Sequence, residues 1–157
     1  NSYEEKIMKL KIPPPIQTLI AVFAMLGLDT WIEISIFESN LILIAVLVSC
    51  ILAVFFLIFA VLGFLKFKTT VNPLKPESTS SLVTSGVYKY SRNPMYAGMA
   101  LFLFAWLLWL SNPLNIAIFA AYIAYITQFQ IKPEEKALTK IFGEQFHLYC
   151  QNVRRWI

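Results

Sequence analysis

The sequence predicts an all-α integral membrane protein: a four-helix bundle with a cytoplasmic C-terminal helix and an ordered cytoplasmic loop, in a single membrane domain covering residues 1–157. Three observations predict it. Of the 157 residues, 58% are apolar and 14% charged, whereas a soluble domain is about 45–50% apolar and about 25% charged. Mean hydropathy is +0.64. Two stretches, Ile12 to Leu65 and Asn93 to Ile131, contain no Lys or Arg. Each is long enough for two helical passes of about 20 residues through a hydrocarbon layer about 30 Å thick. With 5 Gly, 8 Pro and 2 Cys, the composition excludes disordered, collagen-like and disulfide-scaffold classes.

The first span is read over residues 15–28, behind Pro13-Pro14-Pro15. The second runs over 41–65, the third over 95–110 and the fourth over 114–130, the last two joined by Ser111-Asn112-Pro113. Spans one and three are short and borrow flanking residues. The link between spans one and two carries Asp29, Glu33 and Glu38, and the link between three and four carries no charge. All basic residues lie on the opposite side. The positive-inside rule therefore places both termini, the loop 66–93 and the segment 132–157 in the cytoplasm, as expected for a bacterial inner-membrane protein. With the basic residues flanking spans in this way, the net charge of +4 gives no nucleic-acid surface. Cys50 lies in a span and Cys150 in the tail, so both read as packing residues.

The middle loop opens on Thr69 to Pro76, rich in β-branched residues and Pro, which oppose helix. At 28 residues it is long for a passive link, and an ordered lid is expected, with a solvated connector as the alternative. Gly86 offers a turn and close backbone approach. Asn93-Pro94 reads as an N-cap followed by Pro at the first helical position.

That helix start presents free amides and a positive dipole end beside Arg92, suited to a carboxylate or phosphate. The tight turn at Asn112-Pro113 returns the fourth span to the same level, so Glu134 and Glu135 are expected close to Arg92 and Asn93. Pro133 permits a new helix there. Either carboxylate could instead only compensate the dipole of its own first turn. The tail carries Leu138, Ile141, Phe142, Phe146 and Tyr149 at helical spacing, interrupted by Gly143, and reads as an interfacial helix folded back over the hairpin mouth. His147 has no Cys or second His at ligand spacing, so no metal site is read. Arg154-Arg155-Trp156 is either a headgroup anchor or a holder of an anionic substrate.

Taken together, Gly86-Val87-Tyr88, Arg92-Asn93-Pro94-Met95-Tyr96, a hydrophobic hairpin, Pro133-Glu134-Glu135, Leu138, Phe142-Gly143, Phe146, Tyr149 and Val153-Arg154-Arg155-Trp156 resemble the isoprenylcysteine carboxyl methyltransferase family and its bacterial relatives. Phospholipid N-methyltransferases and membrane sterol reductases share the architecture. The resemblance implies an S-adenosylmethionine-dependent methyltransferase whose cofactor sits at the cytoplasmic mouth and whose lipophilic small-molecule substrate enters from the bilayer. It places Leu82, Val83, Gly86, Tyr88, Asn93 and Tyr96 around the cofactor, with Glu134 or Glu135 meeting its polar groups. Arg92 and Arg154 become candidates to hold a substrate anion. Where the family usually shows Arg-His-Pro the chain has Arg92-Asn93-Pro94, and Asn can hydrogen-bond but cannot titrate near neutrality.

In-line methyl transfer needs alignment at about 3–3.5 Å and exclusion of water. A carboxylate nucleophile needs no base, whereas a thiol or amine would draw on Glu134, Glu135 or a Tyr. Two rival readings stand beside this one: a nicotinamide-dependent reductase of the same fold, and a non-enzymatic membrane scaffold or transporter. Oligomeric state is not legible.

Overall fold

In a computed structural model, residues 12–35, 39–66 and 81–157 are described, and among them the chain is all-α with no strand. Asn1 to Lys11, Glu38 and most of the expected loop (67–80) lie outside the described residues. Helix α1 covers Pro14–Trp31, α2 Asn40–Lys66, α3 Pro94–Leu110, α4 Asn115–Ile126, α5 Lys132–Phe142 and α6 Glu144–Asn152. A short 3-10 turn, Gly86–Lys89, precedes α3. The first three long helices begin and end close to the expected bounds because the sequence punctuates them. Pro13 and Pro14 open α1, and Pro94 opens α3, where its missing N–H costs nothing. Ser111, at φ +56°, ends α3 in the left-handed conformation.

Helix α2 packs along α3, and α1 lies against both α3 and α4. The contact of α2 with α3 is close at Gly98, opposite Ala53 and Leu57. The larger core joins Ala21 and Met25 of α1, Tyr96, Leu103 and Leu107 of α3, and Tyr122 and Ile126 of α4. A smaller one sets Ala60 of α2 against Val83, Val87 and Tyr88. Several polar groups inside the bundle are paired across helices. Trp106 donates Nε1–H to the Val22 carbonyl at 3.3 Å, and Thr18 and Tyr122 share a hydroxyl bond of 2.8 Å. At the turn, Asn112 donates to Asp29 at 3.1 Å and to the Ile32 carbonyl at 2.7 Å while accepting from the Leu114 amide.

Among the described residues α2, with 27 residues, is the one helix long and apolar enough to cross a membrane, and α3 is a shorter apolar helix. At 1.5 Å per residue α2 is about 40 Å long, and it exposes apolar side chains along its whole length, from Leu41 through Ile51 to Leu65.

The new helix expected at Pro133 is present and follows the fourth span directly. Backbone from Asn115 to Phe142 is helical throughout, and α5 starts at Lys132 with Pro133 in its first turn, as expected, but without an intervening loop. In place of a loop, the turn Thr127–Ile131 widens to a π-helix, with the Lys132 amide bonding back five residues to the Thr127 carbonyl. In a regular α-helix the Pro133 ring would press on the carbonyl of Phe129 and leave it unbonded. A widened turn relieves that clash, and such turns are frequent at functional sites. The interruption at Gly143 is real: φ +51° there separates α5 from α6.

Candidate functional site

The chain entering α3 and the chain leaving the π-turn meet at one end of the bundle. Gly86, at φ +64°, starts the 3-10 turn. The next turn is held by fully buried Ser91, whose hydroxyl oxygen accepts from the Asn93 amide at 3.1 Å. Asn93 sits at φ −130°, ψ 57°, outside the α region that a following proline disfavours. Its side chain does not cap α3 as expected. It donates instead to the Arg155 carbonyl at 2.9 Å, while the Arg92 amide donates to the Arg154 carbonyl at 3.0 Å. The last residues, extended from Val153 (φ −128°, ψ 133°), are thereby fastened along the turn 91–93.

Two carboxylates join this turn to α5. Tyr96 donates its hydroxyl to Glu134 Oε1 at 2.6 Å. Glu135 lies between two guanidinium groups: Arg155 grips it from Nη2 at 2.7 Å and from Nε at 3.1 and 3.2 Å, and Arg92 Nη2 approaches at 3.4 Å. Hydrogen bonds to Glu135 raise the Arg155 pKa further, so its charge is permanent. Arg92 and Glu135 are largely withdrawn from water, and the Arg92 Nε is buried with no hydrogen-bond partner. Around this set, Tyr149 donates to the Tyr88 carbonyl at 2.7 Å, and burial raises the Tyr149 phenol pKa, keeping it protonated. Trp156 Nε1 donates to Thr127 Oγ1 at 3.2 Å, tying the tail to the π-turn.

Arg92, Asn93, Tyr96, Glu134 and Glu135 therefore share one cluster. Arg154 does not join it through its side chain, which is exposed; only its carbonyl takes part. Val83 and Tyr88 are buried in the small core against α2, where the Tyr88 hydroxyl donates to the Ala60 carbonyl at 3.4 Å, so their side chains are turned to packing. Leu82 is half-buried and Gly86 exposed beside them. Sequence reasoning passed over Ser91 and Thr127, and of the pair in Arg154-Arg155-Trp156 it singled out Arg154 rather than Arg155. The extended backbone after Val153 sends successive side chains to opposite sides, so Arg155 turns inward because Arg154 turns out. Only the end of α6, not the residue types, distinguishes the two. His147 is exposed, and among the described residues no three His, Cys, Asp or Glu side chains cluster as metal ligands would.

Chemically, the cluster offers two carboxylates and two guanidiniums whose formal charges cancel. It could receive a ligand that itself carries both signs.

Comparison with known proteins gives the same segment a relationship. A model of the family described as phospholipid methyltransferase matches residues 41–145. An uncharacterized protein of Haemophilus influenzae is 44% identical over 63 residues, which cover 40% of this chain and all of that protein. Protein-S-isoprenylcysteine O-methyltransferase B of Arabidopsis thaliana is 32% identical over 85 residues, 54% of this chain and 43% of the plant protein. Protein-S-isoprenylcysteine O-methyltransferase of Saccharomyces cerevisiae is 35% identical over 79 residues, 50% of this chain and 33% of the yeast protein. The chain thus spans less than half the length of these two named relatives. No solved structure matches.

Proposed function

Because the chain belongs to the phospholipid methyltransferase family, as the match over residues 41–145 shows, we propose that it is an integral-membrane methyltransferase. It uses S-adenosylmethionine and acts on a lipophilic substrate at a carboxylate. One observation carries the reading. A charge-balanced set, Arg92, Glu134, Glu135 and Arg155, closes the end of an apolar bundle, and its Arg92 Nε is buried without a partner.

These residues fit the cofactor. An unpartnered guanidinium N–H suits a carboxylate, and a carboxylate such as Glu134 suits an ammonium or a ribose hydroxyl. Asn93 and Tyr96 stand within the same turn to orient it, with Leu82 and Gly86 at the rim. When bound, the cofactor supplies a methyl group on a sulfonium. The chain's own part is alignment and exclusion of water. Arg92 holds the anionic end of a reactant, and the fastened tail 153–156 covers the site from the aqueous side. With a carboxylate as acceptor no proton needs to move. Loss of water strengthens the attraction between the reacting charges.

Four crossings fit the chain. Exposed apolar side chains run along α2, and Trp31 and Trp109 are exposed near the far ends of α1 and α3, with Tyr90 exposed at the near end. Aromatic residues at two levels mark the two interfaces of a bilayer. The charge asymmetry supports a cytoplasmic position for the cluster.

Calorimetry in detergent tests the cofactor assignment. S-adenosylhomocysteine should bind with micromolar affinity, Asn93→Ala and Glu135→Ala should weaken it, and His147→Ala should leave it unchanged. No heat at millimolar ligand, or equal losses in all three variants, would refute the assignment. For topology, single cysteines at Ser39 and Thr84, in a chain lacking Cys50 and Cys150, should label from outside and inside respectively. The reverse pattern inverts the orientation.

A further inference from the structure

Two glutamines lie at the entrance of the bundle, one turn before the carboxylate pair. Gln17 of α1 is 7% exposed and Gln130 of the π-turn 1%. Both carboxamides are anchored on one atom, the Ile12 carbonyl oxygen, to which Gln17 Nε2 donates at 2.5 Å and Gln130 Nε2 at 3.1 Å. A carbonyl only accepts, so the amide nitrogens must face it and the amide oxygens must face elsewhere. Among the described residues neither oxygen has a partner: Gln17 Oε1 and Gln130 Oε1 are both buried and unbonded. A buried acceptor without a donor is costly and rare in a native fold. Two of them, tied to the same carbonyl, point to a missing donor.

The described residues around them supply none. Tyr96 is engaged with Glu134 and Thr18 with Tyr122, while Ile126 and Ile131 beside Gln130 are fully buried apolar residues. Gln130 lies four residues before Glu134, on the helical stretch that carries the carboxylates into the cluster. A group bound between the glutamines therefore sits beside the charged set, at the apolar mouth of the bundle.

We propose that Gln17 and Gln130 form a subsite for a nitrogen-borne hydrogen, an ammonium or an amide N–H, in the head of the lipophilic substrate. The proposal rests on the reading that such a substrate enters at this end. The two oxygens accept from the head nitrogen while the apolar tail lies along the bundle, and this fixes how far the head advances toward Glu134. The shared chemistry, an N–H donor, could come from a cationic amine or from a neutral amide.

Matched amphiphiles separate the outcomes, using the whole chain in lipid nanodiscs and thermal-shift titration. Dodecylammonium is compared with dodecyltrimethylammonium, and dodecanamide with N,N-dimethyldodecanamide. Within each pair the tail and charge are the same, and methyl groups replace the N–H hydrogens. The N–H-bearing member of at least one pair should bind about tenfold more tightly, as one or two hydrogen bonds require, and the pair that discriminates identifies the source. Gln17→Leu with Gln130→Leu should abolish the difference. Equal binding within both pairs to the unaltered chain, which needs no variant to fold, would overturn the proposal and leave the oxygens to water alone. Discrimination that survives the double substitution would overturn it as well. Loss of S-adenosylhomocysteine binding, measured separately, would refute the methyltransferase reading without touching this result.

Discussion

Removing the Glu135 carboxylate is the sharpest probe of the cluster. In Glu135→Ala, two guanidiniums lose their common partner, and the two losses differ. The Arg92 and Glu135 side chains are 13% and 15% exposed, so Arg92 becomes a mostly buried unpaired charge, a change that costs about 3–5 kcal/mol when burial is complete. Because the contact is long, at 3.4 Å, and some water reaches it, the low end of that range or slightly less applies. Arg155 is 35% exposed, and solvent screening reduces its share to about 0.5–1 kcal/mol despite the better geometry. The total is about 3 kcal/mol, which lowers the melting temperature by about 6–12 °C in a chain of this size. Thermal unfolding in detergent, followed by intrinsic fluorescence, measures it. Glu135→Gln should lose about half as much, and Arg155→Ala no more than about 1.5 kcal/mol, since Glu135 keeps Arg92. A melting temperature unchanged in Glu135→Ala would refute the triad. An Arg155→Ala loss equal to that of Glu135→Ala would refute the screening argument.

Three further outcomes are expected. A Cβ at Gly98 would stand 2.8 Å from Leu57 Cγ and 3.0 Å from the Ala53 carbonyl, so Gly98→Ala should destabilise by about 1–3 kcal/mol through overpacking of α2 on α3, read as a lower melting temperature. Gly27, inside α1, has nothing within 4 Å of such a Cβ, and Gly27→Ala should stabilise by about 0.5–1 kcal/mol; a loss there would show a neighbour that the fold does not contain. Burial raises the phenol pKa values of Tyr88 and Tyr149, so the folded state favours their protonated forms. Their contribution is complete below the unfolded value of about 10 and is lost as pH rises beyond it. Melting temperatures measured from pH 8 to pH 11 should fall above about pH 10, less steeply in Tyr149→Phe; an identical slope would exclude Tyr149.

The helices were legible where charge and proline mark them. Ile12–Leu65 and Asn93–Ile131 are free of Lys and Arg, and Pro13-Pro14 and Asn93-Pro94 fix two starts. The approach of Glu134 and Glu135 to the Arg92-Asn93 corner followed from two antiparallel segments of similar length joined at Asn112-Pro113. What escaped depends on dihedral angles that residue types do not reveal. The π-turn arises because Pro133, which does sit in the first turn of α5 as read, follows the fourth span with no loop between them, and the turn before it widens. Arg155 replaces Arg154 because α6 stops at Asn152, one residue before an extended stretch. Asn93 bonds the tail rather than its own helix because the tail backbone lies within reach, a tertiary fact. Val83 and Tyr88 turn to α2 for the same reason.

The tether between the turn at 91–93 and the tail spans 62 residues from Asn93 to Arg155. While the chain is being synthesised, α3 and α4 leave the ribosome well before the stretch that completes the corner. A nascent chain that has released α3, α4 and Glu135 consequently lacks the Arg155 clamp on that carboxylate, and Arg92 faces it alone until the distant stretch emerges and docks. Maturation of the corner is thus a late event in synthesis, separated from the emergence of α4, which ends at Ile126, by the translation of about thirty codons up to Arg155.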